Sequence, residues 1–268
     1  MFKMLFPERK IDPNDQLKIL KDGQQYLLPE RWSIKDSGNY EFNSRIENRA
    51  FAHGGYVVGD KKLKGRTIQV EFSMLGATKA DHDEAVNLAY SWFTKSDYDL
   101  YCSREDRYYK IAACSKIKAD FEKGFKQRFS NVTISLLLAD PFRYAVTQTV
   151  VTKNYNDSQT EVEIKLNNPS PVDVPLIWTF TPPEGQSNPD ISITHEESGE
   201  SFILKDTLLT APAVAVVNGE TGTVRRDTGN SLNTFSGIFL HALPGNNTYK
   251  YSGGPCKVDI SYTARWFI

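Results

Sequence analysis

Lys257-Val258-Asp259-Ile260-Ser261-Tyr262-Thr263-Ala264-Arg265-Trp266 alternates apolar and polar side chains along its length. Successive side chains of an extended strand point to opposite faces. Val258, Ile260, Tyr262, Ala264 and Trp266 therefore share one face, and the stretch predicts a half-buried β-strand. The same alternation recurs upstream. Val162, Ile164 and Leu166 alternate with Glu161, Glu163 and Lys165. Leu176, Trp178 and Phe180 follow, then Ile191 and Ile193, Phe202 and Leu204, and Val214 and Val216. Turn residues punctuate them at Asn167-Asn168-Pro169, Pro182-Pro183-Glu184-Gly185, Glu197-Ser198-Gly199, Asn218-Gly219, Thr228-Gly229-Asn230 and Pro244-Gly245-Asn246. Short strands broken by such turns, with no helical periodicity among them, read as a β-sandwich. Burying the Trp178 and Trp266 faces contributes about 2–3 kcal/mol each.

Residues 1–145 have a different texture. Leu17-Lys18-Ile19-Leu20 and Gln25-Tyr26-Leu27-Leu28 flank Asp22-Gly23, a hairpin signal. Residues 29–65 are glycine-punctuated and read as irregular, with turns and extended arms. Ile68, Val70 and Phe72 then alternate cleanly. One helix is expected from Thr78, an N-cap followed by Asp81, Asp83 and Glu84, to about Lys95. Ala85, Leu88, Ala89 and Trp92 form its predicted apolar face. Strands are expected at about 99–102, 108–114 and 128–138. Lysines crowd the stretch between the last two, around Gly124, and it reads as a solvated hairpin or arm. Pro141 in Asp140-Pro141-Phe142-Arg143-Tyr144 ends the strand before it, because proline has no N–H to give a ladder. The expected domains are 1–145 and 146–268.

The chain has 268 residues, 40% hydrophobic and 12% aromatic, enough for two real cores. Its formal net charge is -1, which argues against a nucleic-acid polyelectrolyte. Residues 1–145 hold 24 Lys+Arg against 20 Asp+Glu, and 146–268 hold 8 against 13. Cys102, Cys114 and Cys256 form no CxxC pair and read as reduced, packed thiols of a protein assembled in a reducing cytoplasm. The opening residues lack a signal peptide's apolar core, and no apolar run reaches the ~20 residues of a membrane helix.

Catalytic chemistry is not signalled. His53, His82, His195 and His241 lack metal-ligand spacing. His82 reads as surface or capping, His195-Glu196-Glu197 as a turn, and His241 as a half-buried strand residue. Glu161 and Glu163 mimic a glycosidase pair but are explained by a solvent-facing stripe. No phosphate loop, dinucleotide fingerprint or nucleophile elbow occurs. No catalytic, cofactor-binding or metal-ligating residue is assigned, and no cofactor is expected.

In order and spacing these motifs resemble the distal tail (Dit) proteins of siphophages. The resemblance rests on Gly54-Gly55, Gly59-Asp60, Leu63-Lys64-Gly65-Arg66-Thr67-Ile68-Gln69-Val70, the helix with Trp92, and Ala139-Asp140-Pro141-Phe142-Arg143-Tyr144. In the second half it rests on Asn167-Asn168-Pro169, Leu243-Pro244-Gly245-Asn246-Asn247 and Tyr262-Thr263-Ala264-Arg265-Trp266. Pro169 departs from the glycine often found there. The resemblance implies a mainly β chain: an N-terminal ring-forming β-sandwich with one α-helix and an extended hairpin arm, and a C-terminal galectin-like β-sandwich. It implies a non-enzymatic hub at the virion tail tip, assembled in the host cytoplasm. As a homo-oligomer, a hexameric ring, it would join the tail tube protein to the tail-associated tip protein. Genome DNA would pass through without specific binding, and no membrane is involved. Lys116, Lys118, Phe121, Lys123, Phe125 and Lys126 are the candidate inter-subunit arm. The rival reading is a carbohydrate-binding module that grips host-surface glycans through Tyr249 and Tyr251; a β-sandwich glycoside hydrolase is a third.

Overall fold

The computed structural model describes residues 12, 14–29, 31–36, 38–51, 53–121, 127–157 and 159–267. The chain divides into two compact units, Met1–Tyr144 with Phe267–Ile268, and Ala145–Trp266.

The first unit opens with β1 (Leu17–Lys21) and β2 (Gln24–Leu27), paired antiparallel from Lys18↔Leu27 to Lys21↔Gln24. Asp22 and Gly23 between them take φ of 50° and 72°, which a two-residue hairpin turn demands. Then come β3 (Trp32–Lys35), β4 (Phe42–Asn48), β5 (Gly55–Leu63), β6 (Arg66–Leu75), α1 (Lys79–Phe93), β7 (Tyr98–Cys102), β8 (Arg107–Ile111), β9 (Ala113–Phe121), β10 (Phe129–Leu138) and β11 (Arg143–Ala145). One sheet runs β2-β1-β7-β8-β11, a second β3-β6-β10-β9, and β4-β5 form a separate two-stranded ribbon.

β6 and β10 pair along their whole length, from Arg66↔Leu138 to Leu75↔Phe129. Alternation sends Ile68, Val70, Phe72 and Met74, with Val132, Ile134, Leu136 and Leu138, to one buried face. Leu17, Ile19, Leu100, Tyr109 and Ile111 join them in a single core from the other sheet.

The helix begins where the sequence places it. The Asp81 N–H donates to Thr78 Oγ1 (3.2 Å) and the Thr78 N–H to Asp81 Oδ2 (3.0 Å), a reciprocal capping box. Its buried face differs from the expected one. His82, Val86, Ala89 and Phe93 point inward, and Phe93 stacks on Phe72 at 5.8 Å. Leu88 is exposed, while Trp92 stays at the rim, stacked on Tyr26 at 5.8 Å with the Lys95 ammonium 3.4 Å from its ring centre. Two neighbouring stripes of this helix are apolar. Only the one carrying Phe93 fits the sheet, while the amphipathic Trp92 edge tolerates water.

The first unit also buries charge. The Asp36 carboxylate pairs with Arg66 and with Arg143 (3.2 Å), whose other arm meets Glu105, and the side chains of Asp36, Arg66 and Arg143 are each under 9% exposed. Burial alone would raise the Asp36 carboxyl. Hydrogen bonds from Arg66, the Gly38 amide and Arg143, with the Arg66 charge, outweigh it and hold the group below the usual carboxylate range.

The second unit is a two-sheet sandwich. One sheet orders Thr149–Tyr155, Cys256–Tyr262, Ile177–Thr181, Ala215–Asn218, Thr223–Arg226 and Gly229–Asn230. The other orders Gln159–Asn168, Gly245–Gly253, Asp190–His195, Ser201–Lys205 and Phe235–Gly237. Trp178 is fully buried between them, with Phe202 edge-on at 5.9 Å and Tyr249 at 5.3 Å. The strand of the decisive stretch ends at Tyr262, four residues short of Trp266, which is only half-buried. Asn168, buried, shapes the turn before Pro169: its amide donates to Val172 O (2.9 Å) and Ala242 O (3.0 Å), and its Oδ1 accepts the Ser170 N–H (2.9 Å).

Replacing Asp36 by alanine leaves two buried guanidinium groups short of a counter-charge, and should cost the first unit about 3 kcal/mol in urea unfolding at neutral pH. The sign with pH follows from the depressed carboxyl. Its contribution is fully present above the unfolded value of about 3.9 and is lost as pH falls through the lower folded value, so the wild-type advantage over Asp36→Ala should shrink only below about pH 4.

Candidate assembly surface

The lysine-rich stretch falls on β9, the edge strand of the four-stranded sheet. Lys116, Lys118 and Phe121 are exposed; Lys118 pairs with Asp120 at 2.7 Å, and Phe121 sits edge-on to His82 at 5.6 Å. β9 is in ladder with β10 as far as Phe121↔Ser130, with a register shift between Ser135 and Leu136, so its described part is sheet edge. Lys123, Phe125 and Lys126 lie outside the described residues. The other edge of the same sheet is β3.

The larger exposed apolar surface lies elsewhere. Residues 29–65, expected to be irregular, contain β3 and the β4–β5 ribbon. In the ribbon Ile46 stands opposite Val57, and Phe42 opposite Leu63. Ile46 and Val57 are 73% and 70% exposed, Phe42 and Tyr56 about half, and Phe51 at the tip completely. Gly59 makes the ribbon possible. Its φ is 103°, and a Cβ there would lie 2.1 Å from Asn43 O. Periodicity could not reveal this element, because it buries neither face and no selection for alternation acts on it. The legible signals were the Gly54-Gly55 pair and the β-branched Val57-Val58.

Residues considered for chemistry are occupied structurally. His82, expected at the surface, is fully buried, with Nε2 2.9 Å from Ser130 Oγ and Nδ1 3.3 Å from Asp83. His195 is buried too and stacks on Tyr249 at 4.6 Å. Its Nε2 lies 3.0 Å from both Asn247 Oδ1 and Glu197 Oε2, and its Nδ1 2.8 Å from Ser198 Oγ. Asn247 Oδ1 also accepts the Leu243 N–H (2.7 Å), and its amide donates to Leu243 O and Gly245 O. Nε2 thus faces two acceptors and Nδ1 a hydroxyl, and the ring is held on both sides. Glu163 pairs with Lys165 at 2.9 Å and Glu161 lies 3.7 Å from Lys250. Burial raises all three thiols, Cys256 to about 11, which keeps them protonated and unreactive at neutral pH. Among the described residues no group of three His, Cys, Asp or Glu side chains could hold a metal ion, and no helix is long and apolar enough to cross a membrane.

The aromatics of the glycan reading are inside. Tyr249 and Tyr251 are each 0% exposed, Tyr251 stacks on Tyr155 at 4.7 Å, and Tyr249 packs on Trp178. Neither can offer a ring to a sugar. The reason is register: both sit on the inward-facing parity of the Gly245–Gly253 strand, where Lys250 takes the outward one.

Asn247→Ala removes the acceptor and donors that tie Leu243, Gly245 and His195 together. It should lower the stability of the second unit by about 2 kcal/mol, read as an earlier urea midpoint, without creating a new ligand site.

Two family models match the chain: a phage tail protein RIFT-related domain over residues 15–138, and the C-terminal domain of a siphovirus-type tail component over residues 169–266. No curated protein sequence matches. Among solved structures the chain is similar to the SPP1 Dit protein, described as a paradigm of the hub adsorption apparatus in phages infecting Gram-positive hosts. The TM-score is 0.68 at 15% identity, covering 93% of this chain and 98% of that one. It also matches a chain of the phage P2 baseplate in its activated conformation with Ca, at a TM-score of 0.46 and 9% identity over 93% and 97%. The chain belongs to the siphophage distal tail (Dit) protein family.

Proposed function

We propose that this chain is the structural hub of a phage tail tip: six copies close into a ring that joins the tail tube protein to the tail-associated, host-binding tip protein. The observation that carries the reading is the β4–β5 ribbon. An isolated two-stranded hairpin is marginal in water, and this one also leaves Phe42, Ile46, Phe51 and Val57 in solvent. Such an element makes sense when a second copy of the chain covers it.

Ring closure needs a heterologous contact, one patch of a subunit meeting a different patch of the next. The ribbon supplies one patch. The edge strands β3 and β9 supply two more, where a strand of a second copy can continue the sheet across a subunit boundary. Lys116, Lys118 and Phe121 on β9 belong to this proposed joint, with the stretch that holds Lys123, Phe125 and Lys126. Residues 1–145 act as the ring-forming domain, and 146–268 as a galectin-like domain. The subunit works as a scaffold without catalysis, assembles in the host cytoplasm, and lets genome DNA pass without sequence-specific contact.

Light scattering across a concentration series tests this. The purified chain should approach six times its 30.3 kDa mass. Ile46→Glu should shift it to lower mass while changing monomer stability by less than about 0.5 kcal/mol, since the site is exposed. A chain that remains single at every concentration, alone and with tail tubes added, overturns the ring.

A further inference from the structure

The β4–β5 ribbon packs its own two strands together, so its direction is set at its base, where the chain enters at Tyr40–Glu41 and leaves at Lys64–Arg66. The Lys64 N–H donates to Glu41 O at 2.8 Å and closes that base. Beneath it the two sides touch through side chains. The Arg66 guanidinium lies 4.6 Å over the Tyr40 ring, and is itself pinned by Asp36 and by donation from Nε to Pro141 O at 2.9 Å.

Tyr40 has one more partner, more than two hundred residues away in sequence. Its hydroxyl donates to the carbonyl oxygen of Phe267. The Phe267 ring meets Tyr40 edge-on at 5.3 Å and leans on Phe142 at 5.5 Å. Phe267 belongs to the first unit although it follows the last residue of the second, Trp266, in the chain. Phe142, Arg143 and Phe267, all of the first unit, thus belong to the group of side chains on which the ribbon stands.

We propose that Phe267 is a positioning residue for the ribbon: by engaging the ring and hydroxyl of Tyr40 while Arg66 covers a face of that ring, it fixes the ribbon's base and hence the direction in which Ile46 and Val57 are presented. The inference rests on the ribbon being a subunit joint. The physical case is one of degrees of freedom. A ribbon with neither face packed can swing on the few backbone dihedrals at its root, and each contact that immobilises a root side chain removes part of that swing. Arg66, held by Asp36 and Pro141 O, covers only one face of Tyr40. Phe267 adds an aromatic edge contact and a main-chain acceptor, and together they trap the ring.

Hydrogen exchange on the dilute, unassembled chain tests the proposal. In Phe267→Ala, exchange at amides 40–42 and 63–65 should rise about tenfold while β6 and β10 keep their protection. Phe267→Tyr should restore slow exchange at the base. Tyr40→Phe removes only the hydroxyl and should give part of the rise; it decides the matter if Phe267→Ala loosens the whole unit. Base exchange unchanged in both Phe267→Ala and Tyr40→Phe overturns the proposal. The outcome is separable from that of the joint itself: if Ile46→Glu assembles like the wild type, the ribbon is not the joint, while exchange at the base still decides whether Phe267 clamps it.

Discussion

The carboxylate of Asp36 sits between two guanidinium groups in a place where all three side chains are under 9% exposed. Removing these ions from solvent costs several kcal/mol each, and only mutual pairing with good hydrogen bonds offsets it. The constraint is geometric as well as energetic. Asp36 follows β3, Arg66 opens β6, and Arg143 opens β11, so one carboxylate fixes three chain segments at a single point. The ribbon between residues 42 and 63 begins shortly after Asp36 and ends just before Arg66, which covers the ring of Tyr40.

A sandwich fills the space between two sheets and leaves edges and outer faces to the solvent or to other molecules. In both units the inner faces are complete. Phe72 stacks on Phe93 in the first; Trp178 gathers Phe202 and Tyr249 in the second. Polar side chains that reach the interior, such as His195, Asn168 and Asn247, are spent on turns and strand ends. Among the described residues, apolar surface on the ribbon and the sheet edges β3 and β9 stay on the outside. That distribution fits a phage tail hub protein.

Burial also separates the rival readings. Tyr249 and Tyr251 look from sequence like rings available to a sugar, yet a strand alternates, and a one-residue change of parity exchanges the inner and outer sets. The core takes the tyrosines because two stacked rings, Tyr155 and His195, are waiting for them. His82 followed the same logic. Next to Asp83 in a polar helix start it reads as surface, but the fourth position of the turn points at Ser130 on β10.

By itself the sequence determined the strands whose one face is buried, the Asp22-Gly23 turn and the Thr78 cap. In each case a local rule, alternation, a positive-φ turn or a capping side chain, is satisfied by residues close together. Which of two apolar stripes the helix buries was decided only by tertiary structure, because both are apolar and the shape of the sheet chooses between them. The ribbon was hidden for the opposite reason: it buries neither face, so alternation carries no information about it. The clustering of Asp36, Arg66 and Arg143, and the return of Phe267 to Tyr40, join residues far apart in the chain, and such contacts exist only once the sheets have brought their segments to one place.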